Sequence, residues 1–305
     1  MKSIPLSLGM TLAFSSFAAF SVSDACSKLL GGKLDPFEVA FSGGVFGFLL
    51  LPFIRKKHET YMDIFSTGQP GMWILRAVAT FVATAASVKA FMLLPMPEAL
   101  SLMFLMPLFV TILSVGLLKE RVNGWAWVSV VLGFVGVLIV LRPGARELHF
   151  GHLCALVAAL ANAVGVIAYR LAGPDSARLS LFGSSLFGPL IGDGALMFTH
   201  ATWPHGFSIW FCLFGYGFLA ALGQLLMMMA TALAPANRVA LPQYSQMLWA
   251  VVFSYFLFHQ PLDGWTFAGI VVVTASGMIN WIRQHLRYER DVIEEYWKKQ
   301  HHHVH

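Results

Sequence analysis

Polar side chains that could bind a solute lie inside long apolar stretches of the sequence. Within residues 72–94 these are Arg76, Thr80, Thr84 and Ser87. On a helix with 100° per residue they fall at about 0, 40, 80 and 20 degrees, so they form one polar stripe that could bind a solute. Alternatively, Arg76 extends to the membrane surface and the hydroxyl groups bond to their own helix. Lys89 lies across the wheel, near the other end of the segment.

A second polar group lies within residues 238–258, directly after Pro242. It consists of Gln243, Tyr244, Gln246 and Trp249. A proline frees a backbone carbonyl and bends a helix, and transporters use such broken helices to present polar groups to a substrate. Amide groups beside an aromatic face predict a substrate-binding role for these four residues.

Two further candidates lie in other apolar segments. Gln224 follows Thr84 by 140 residues, a spacing that recurs elsewhere in the chain, so the two side chains could face each other. A hydrogen bond between two helices is the structural alternative for this pair. Asn162 is a weaker candidate for substrate binding.

Carboxyl groups inside apolar segments are candidates for ion coupling or gating, because desolvation can bring such a group close to neutrality. Asp24 and Asp193 qualify by position. For Asp24, a structural ion pair with Lys28 four residues later is favoured over a proton carrier. Asp193 lies in the sequence PLIGDGAL, where proline and glycine loosen a helix. Glu98 and Glu120 flank another apolar segment, as helix caps or as gate contacts.

The chain has none of the familiar catalytic or cofactor-binding motifs, such as HExxH, GxSxG or a Walker loop. Its three cysteines have no CxxC spacing, and the histidines are scattered apart from the run at 301–305. A flexible terminal run organises metal poorly. We therefore predict no enzyme activity, no cofactor and no metal site, and any transport would draw on gradients instead of ATP.

The composition identifies a membrane protein. Hydrophobic residues make up 57% of the chain and charged residues 11%, with a mean hydropathy of +0.70. Apolar runs of roughly 20 residues are long enough to cross a bilayer as helices. Ten such spans are predicted, at 6–29, 36–54, 72–94, 98–118, 124–141, 151–171, 180–199, 209–233, 238–258 and 264–282.

The distribution of basic residues predicts the orientation. An even number of spans places both termini on one side, and fourteen of the twenty Lys and Arg residues fall on that side. Because basic loops stay in the cytoplasm, we expect both termini there and the chain in the inner membrane. The same distribution explains the net charge of +5 without a nucleic-acid partner.

The two halves of the chain repeat each other. A shift of 140 residues places Pro95 on Pro235, Gly124 on Gly264 and Trp125 on Trp265 without a gap. Five spans per copy make the second copy enter the membrane from the opposite side. The sequence thus predicts an all-α fold of two inverted five-helix repeats, 1–144 and 145–283, and a charged cytoplasmic tail, 284–305. Such inverted repeats are typical of transporters with alternating access and a site between the halves.

Two blocks of sequence carry a family resemblance. The stretch 95–144, beginning PMPEALSLMFLMPLF, and the stretch 223–277, beginning GQLLMMMATALAPAN, resemble the drug/metabolite transporter superfamily in its branch with paired EamA domains. The resemblance implies ten helices, an inward N terminus and a central cavity lined by spans 1, 3, 4, 6, 8 and 9. Where the family has Gly-Glu, this chain has Lys119-Glu120 in the first copy and His259-Gln260 in the second.

The sequence therefore predicts a secondary transporter that carries small polar or amphipathic organic metabolites, such as amino-acid-like compounds or drugs, across the cytoplasmic membrane. Proton coupling is part of this hypothesis. The resemblance favours export. One alternative is an uptake carrier for a metabolite such as S-adenosylmethionine or a vitamin. An alternative of another class is a membrane scaffold or a membrane enzyme.

Overall fold

The computed structural model describes residues 6–55, 59–65, 69–119, 124–142, 149–172, 178–197, 204–233, 242–260, 262–276 and 278–279. All regular secondary structure in these ranges is helical. We number the helices α1 Leu6–Leu29, α2 Pro36–Ile54, α3 Pro70–Leu93, α4 Met96–Leu117, α5 Gly124–Leu141, α6 Phe150–Ala172, α7 178–197, α8 Phe207–Leu233, α9 Gln243–Phe256 and α10 Gly264–Ser276. The predicted tail 284–305 and Glu120 lie outside the described residues.

Several helices are suited to a bilayer by length and composition. Among the described residues, five helices are long and apolar enough to cross a membrane: α2, α3, α4, α6 up to Ala168, and α8 up to Ala230. Two shorter apolar helices are Val130–Leu141 within α5 and Gly264–Ser276. These helices agree with an integral membrane protein, and the predicted set of ten spans stays a prediction.

Proline and glycine interrupt the helices at defined points. In α7, the α-helix Arg178–Gly188 passes into a π-helical turn at Pro189–Asp193 before Gly194–Met197. A π turn accommodates the missing N–H of proline and commonly occurs at functional sites. The loosening predicted for this stretch is therefore present. Pro242 is the N-cap of α9 and does not lie within that described helix.

Helix packing follows the duplication seen in the sequence. The most extensive contacts join α1 to α8 and α3 to α6. Exchanging the two halves turns α1 into α6 and α8 into α3, so each pair becomes the other. The contacts of α2 with α8 and of α3 with α7 are related in the same way. The core of the molecule thus consists of helices from one half packed against helices of the other.

Small residues and hydroxyl groups bring these helices close together. Ser16 and Ser23 on α1 donate to the carbonyl oxygens of Gly223 and Tyr216 on α8, at 2.7 and 2.8 Å. On α7, a β-carbon added at Gly188 would lie 2.1 Å from the carbonyl oxygen of Ala77. Backbone-to-backbone contact of this kind requires glycine and fixes the crossing of α3 and α7.

Candidate functional site

A central cavity of 280 Å³ lies among helices of both halves. Its described walls come from α1, α2 and α3 of the first half and from α6, α7 and α8 of the second. The family resemblance implied α4 and α9 in place of α2 and α7. The structure differs from this expectation. The described walls include residues of α2 and α7 and none of α4 or α9.

Four of the predicted site residues line this cavity. They are Asp24, Thr84, Asn162 and Gln224. Thr84 and Gln224, which the 140-residue shift relates, both lie on its wall. The described lining residues include one carboxylate, that of Asp24, and no lysine, arginine or histidine. The described charged groups of the cavity wall are therefore acidic.

Asp24 is held by α9. The amide Nε2 of Gln246 donates to Asp24 Oδ2 at 2.9 Å, which links the first half to the second. The ion pair expected between Asp24 and Lys28 is not formed. Lys28 Nζ turns instead to the carbonyl oxygens of Phe91 and Leu94, at 3.2 and 2.5 Å. Those two carbonyls end α3 without the next turn of helix to bond, so they accept from the ammonium group.

Asp193 lies behind the cavity wall, in the π-helical turn. Its side chain is fully buried, and its Oδ2 is 3.2 Å from the Thr84 hydroxyl oxygen on α3. Asp193 Oδ1 has no hydrogen-bond partner among the described residues. The same hydroxyl oxygen lies 2.9 Å from the carbonyl of Thr80. Because a hydroxyl group can both donate and accept, Thr84 can pair with the carboxyl group in either protonation state.

Tyr216 on α8 completes the polar group at the cavity. The residue is buried and lines the same cavity as Asp24. Gly43 on α2 makes room for its ring, since a β-carbon there would lie 2.9 Å from Tyr216 Cε1. The sequence reasoning did not select Tyr216. A phenol inside a long apolar helix was the available signal, because such polar groups are costly in lipid.

Other predicted site residues lie away from the described cavity. Arg76 is partly buried on α3 and is not among the lining residues. Ser87 lines the cavity, but its hydroxyl group and that of Thr80 bond to carbonyls of their own helix, as the alternative interpretation of the stripe proposed. Trp249 is 42% exposed and stacks on Phe253.

On α9, Gln243 is the first residue of the helix and is partly buried. Tyr244 belongs to the same helix, and its side chain lies outside the described part of the chain. Among the described side chains of this group, Gln246 is connected to the cavity through its hydrogen bond with Asp24.

Glu98 forms a buried contact at one end of the helix bundle. Its Oε1 lies 2.9 Å from Nε2 of His152, and the two residues are 1% and 3% exposed. The contact joins the first turns of α4 and α6. The sequence reasoning placed Glu98 at a gate and did not identify His152 as its partner, because no regular spacing relates two residues 54 positions apart.

The arrangement of polar groups suits the binding of a solute. Within the described residues no group of three or more His, Cys, Asp or Glu side chains could hold a metal ion. One carboxyl group, a phenol, several hydroxyl groups and two amides instead line one cavity between the halves, with Asp193 behind its wall. Such groups can bind a cation or a hydrogen-bonding solute.

Comparison with known families gives a match over nearly the whole chain. The model of the EamA-like transporter family matches twice, over residues 7–142 and 149–281. One match falls within each of the predicted repeats, 1–144 and 145–283, whose limits stay a prediction.

Individual relatives are transporters of small molecules. The chain is 28% identical over 269 residues to the S-adenosylmethionine uptake transporter of Rickettsia bellii, covering 88% of this chain and 91% of that protein. It is also 28% identical over 203 residues to the riboflavin transporter of Vibrio cholerae, covering 65% and 67%. One crystal structure superposes with a TM-score of 0.61 at 15% identity, covering 90% of this chain and 96% of the other, which shows a shared fold.

Proposed function

Because the chain belongs to the EamA-like transporter family, and is thus a membrane transporter rather than an enzyme, we propose that it carries a cationic or zwitterionic metabolite through the central cavity. The observation that carries this proposal is the charge of the cavity. Asp24 lies on its wall, Asp193 lies directly behind Thr84, and no cationic side chain belongs to the described lining. In a medium of low dielectric constant, such carboxylates favour a positively charged solute.

S-adenosylmethionine is the first candidate substrate. It combines a sulfonium cation with an amino-acid group and an adenine ring. The carboxylate of Asp24 suits the cation, and the aromatic rings of Phe20, Phe91 and Phe182 line the same cavity and suit the adenine ring. The name of the Rickettsia bellii relative supports both this substrate and the direction of uptake. Uptake therefore replaces export as the first direction to test.

Riboflavin is the second candidate, and a different observation favours it. The same three phenylalanine rings can stack on a flavin, and Gln224 and Asn162 offer amide hydrogen bonds to neutral polar groups. The Vibrio cholerae relative carries this name. Riboflavin is uncharged, so its binding would not depend on Asp24, and this difference separates the two candidates.

The proposed mechanism is alternating access between two inverted repeats, 1–144 and 145–283, of five spans each. Two hydrogen bonds between side chains cross between the halves beside the cavity, Gln246 to Asp24 and Thr84 with Asp193. A cation bound to Asp24 competes with the Gln246 amide, so substrate binding loosens one contact between the halves. Asp193 is the proposed proton carrier, because it is buried beside a hydroxyl group that can accept or donate. Arg76 remains a proposed contact at the path between the cavity and the cytoplasm.

Transport into proteoliposomes tests the substrate. Labelled S-adenosylmethionine, riboflavin, amino acids, nucleosides and a cationic drug would each be supplied, with and without a pH gradient, beside liposomes that lack the protein. We expect saturable entry of S-adenosylmethionine that other organic cations inhibit. Entry of riboflavin without entry of S-adenosylmethionine would replace the first candidate by the second. If cationic solutes neither enter nor inhibit, the proposed charge selectivity is wrong.

A further inference from the structure

A second cavity of 520 Å³ lies on the side of the helix bundle, apart from the central site. Its walls are formed by α3 and α6, with the beginning of α2 and the end of α7. Most of the lining is apolar, including Phe81, Val82 and Ala85 on α3 and Leu153 on α6. Leu153 is 55% exposed, so this groove presents an apolar face to the membrane around the protein.

Two charged side chains lie in this otherwise apolar groove, Lys89 and Asp35. Lys89 is on α3 and is partly buried, and it has no hydrogen bond or ion pair with another residue in the described ranges. Asp35 is the N-cap of α2, where its Oδ1 accepts from the backbone N–H of Phe37 at 2.9 Å. A cation that no described residue pairs is costly in an apolar helix and calls for a counter-charge.

We propose that the groove binds a phospholipid with a primary-amine headgroup, a phosphatidylethanolamine. One acyl chain lies along the apolar wall of α3 and α6, and the phosphate accepts from Lys89. The ammonium group of the headgroup meets Asp35. The lipid phosphate thereby supplies the anion that Lys89 lacks within the described protein. The positively charged ammonium group of the same lipid matches the carboxylate of Asp35 in this groove. Basic pockets between membrane helices are known to hold lipid headgroups in this way.

Quantification of bound lipid on the purified full-length protein tests the assignment. Protein from a membrane of phosphatidylethanolamine and phosphatidylglycerol would be washed in detergent, and retained lipid would be measured by native mass spectrometry. We expect one retained phosphatidylethanolamine in the wild type, and about fivefold less in Lys89→Met, since one cation at the membrane surface contributes an attraction of that order. Asp35→Asn keeps a side chain that caps a helix and should lower the preference for phosphatidylethanolamine over phosphatidylglycerol.

Two further variants control the result. Lys33→Met removes a cation from the exposed turn between α1 and α2, and it should retain lipid as the wild type does. Ala85→Trp fills the groove and should displace the lipid while the charges stay. Folding of every variant would be checked by its melting temperature in lipid-free detergent. Equal lipid retention by Lys89→Met and the wild type overturns the proposal, and so does an equal loss in Lys33→Met.

Discussion

Two carboxyl groups near the centre of the molecule each have their hydrogen-bonding side chain in the opposite half of the chain. Asp24 of the first half accepts from Gln246 of the second, and Asp193 of the second half meets Thr84 of the first. A movement of one half against the other therefore changes the surroundings of both carboxyl groups. In the proposed mechanism, this geometry couples the binding of a cation to a change in the contact between the repeats.

Replacing Thr84 by valine tests whether the hydrogen bond between the halves at Asp193 contributes to transport. The change removes the hydroxyl group beside Asp193 and leaves a buried carboxyl oxygen without its partner, at a cost of about 1–3 kcal/mol. We expect the initial rate of transport to fall about tenfold or more. Thr111→Val is the matched control, because Thr111 bonds only to its own helix, at Pro107, in the described structure. If both variants transport at the same rate, Thr84 has no role beyond packing.

The ion pair of Asp263 with Arg142 gives a pH-dependent contribution outside the spans. Partial burial alone would raise the pKa of Asp263, but its interactions with Thr266 and the Arg142 guanidinium outweigh this and hold the pKa below its ordinary value. A lowered pKa stabilises the folded state above the ordinary pKa of about 4, and this stability is lost as the pH falls through the lower value.

Comparison of the wild type with Asp263→Asn measures this contribution. Since Asp263 is 44% exposed, we expect less than about 1 kcal/mol. The wild type should melt slightly higher than the variant at pH 7, and the difference should be smaller at pH 3. A difference that is equally large at both pH values would show that the ion pair is not its source.

At the scale of single residues, the sequence predicted which residues lie at the cavity better than it predicted the groups that they contact. Register between the two copies predicted that Thr84 and Gln224 could face each other, and both residues line the central cavity. Helical spacing paired Asp24 with Lys28, but spacing carries no information on the carbonyl groups that α3 leaves open at its end. His152 was missed for a similar reason, since its contact with Glu98 arises only when α4 and α6 pack together.

The crossings of the helices depend on glycine at particular positions. Gly188→Ala would place a β-carbon 2.1 Å from the backbone oxygen of Ala77, so α7 must move away from α3. We expect destabilisation of about 1–3 kcal/mol or more from this overpacking. It should also slow transport, because Asp193 follows in the next turn of α7.

Gly116→Ala on α4 is the control for that substitution. A β-carbon at Gly116 would meet no atom within 4 Å, so the better helix propensity of alanine should stabilise by about 0.5–1 kcal/mol. Melting temperatures of the two purified variants give the comparison. A Gly188→Ala protein as stable as Gly116→Ala would contradict the close crossing of α3 and α7.

At the scale of helices, hydrophobicity predicted the limits of several helices well. The sequence predicted the points where helices are interrupted only in part. The limits of α1, α6 and α8 lie within a few residues of the predicted spans. Pro189 and its neighbouring glycines correctly indicated an irregular turn in α7. The neighbours of that turn could not be predicted, because hydrophobicity gives the length of a helix and not the face that packs against another.

The whole molecule repeats its contacts between the two halves, as the exchange of α1–α8 with α3–α6 shows. Duplication could be recognised from the sequence because glycine, proline and tryptophan recur at a constant spacing. The helices that form the cavity walls could not be predicted from the sequence. The choice of α2 and α7 over α4 and α9 depends on how far the halves are rotated against each other.

The proposed orientation places both termini in the cytoplasm. Labelling with a membrane-impermeant maleimide would test it in a background where Cys26, Cys154 and Cys212 are replaced by alanine. Lys33→Cys, in the turn between α1 and α2, should react in intact cells. Met62→Cys, which is 75% exposed between α2 and α3, should react only after the membrane is opened. The reverse pattern would place the termini outside.

The most direct measurement of the central claim is counterflow in proteoliposomes with Asp24→Asn. The variant removes the charge on the cavity wall and keeps the size of the side chain, and Asp263→Asn makes the same chemical change outside the cavity. The account predicts exchange of labelled S-adenosylmethionine by the wild type and by Asp263→Asn, and exchange about tenfold slower or more by Asp24→Asn. Exchange by Asp24→Asn at the wild-type rate would contradict the proposal that this cavity selects its substrate by charge.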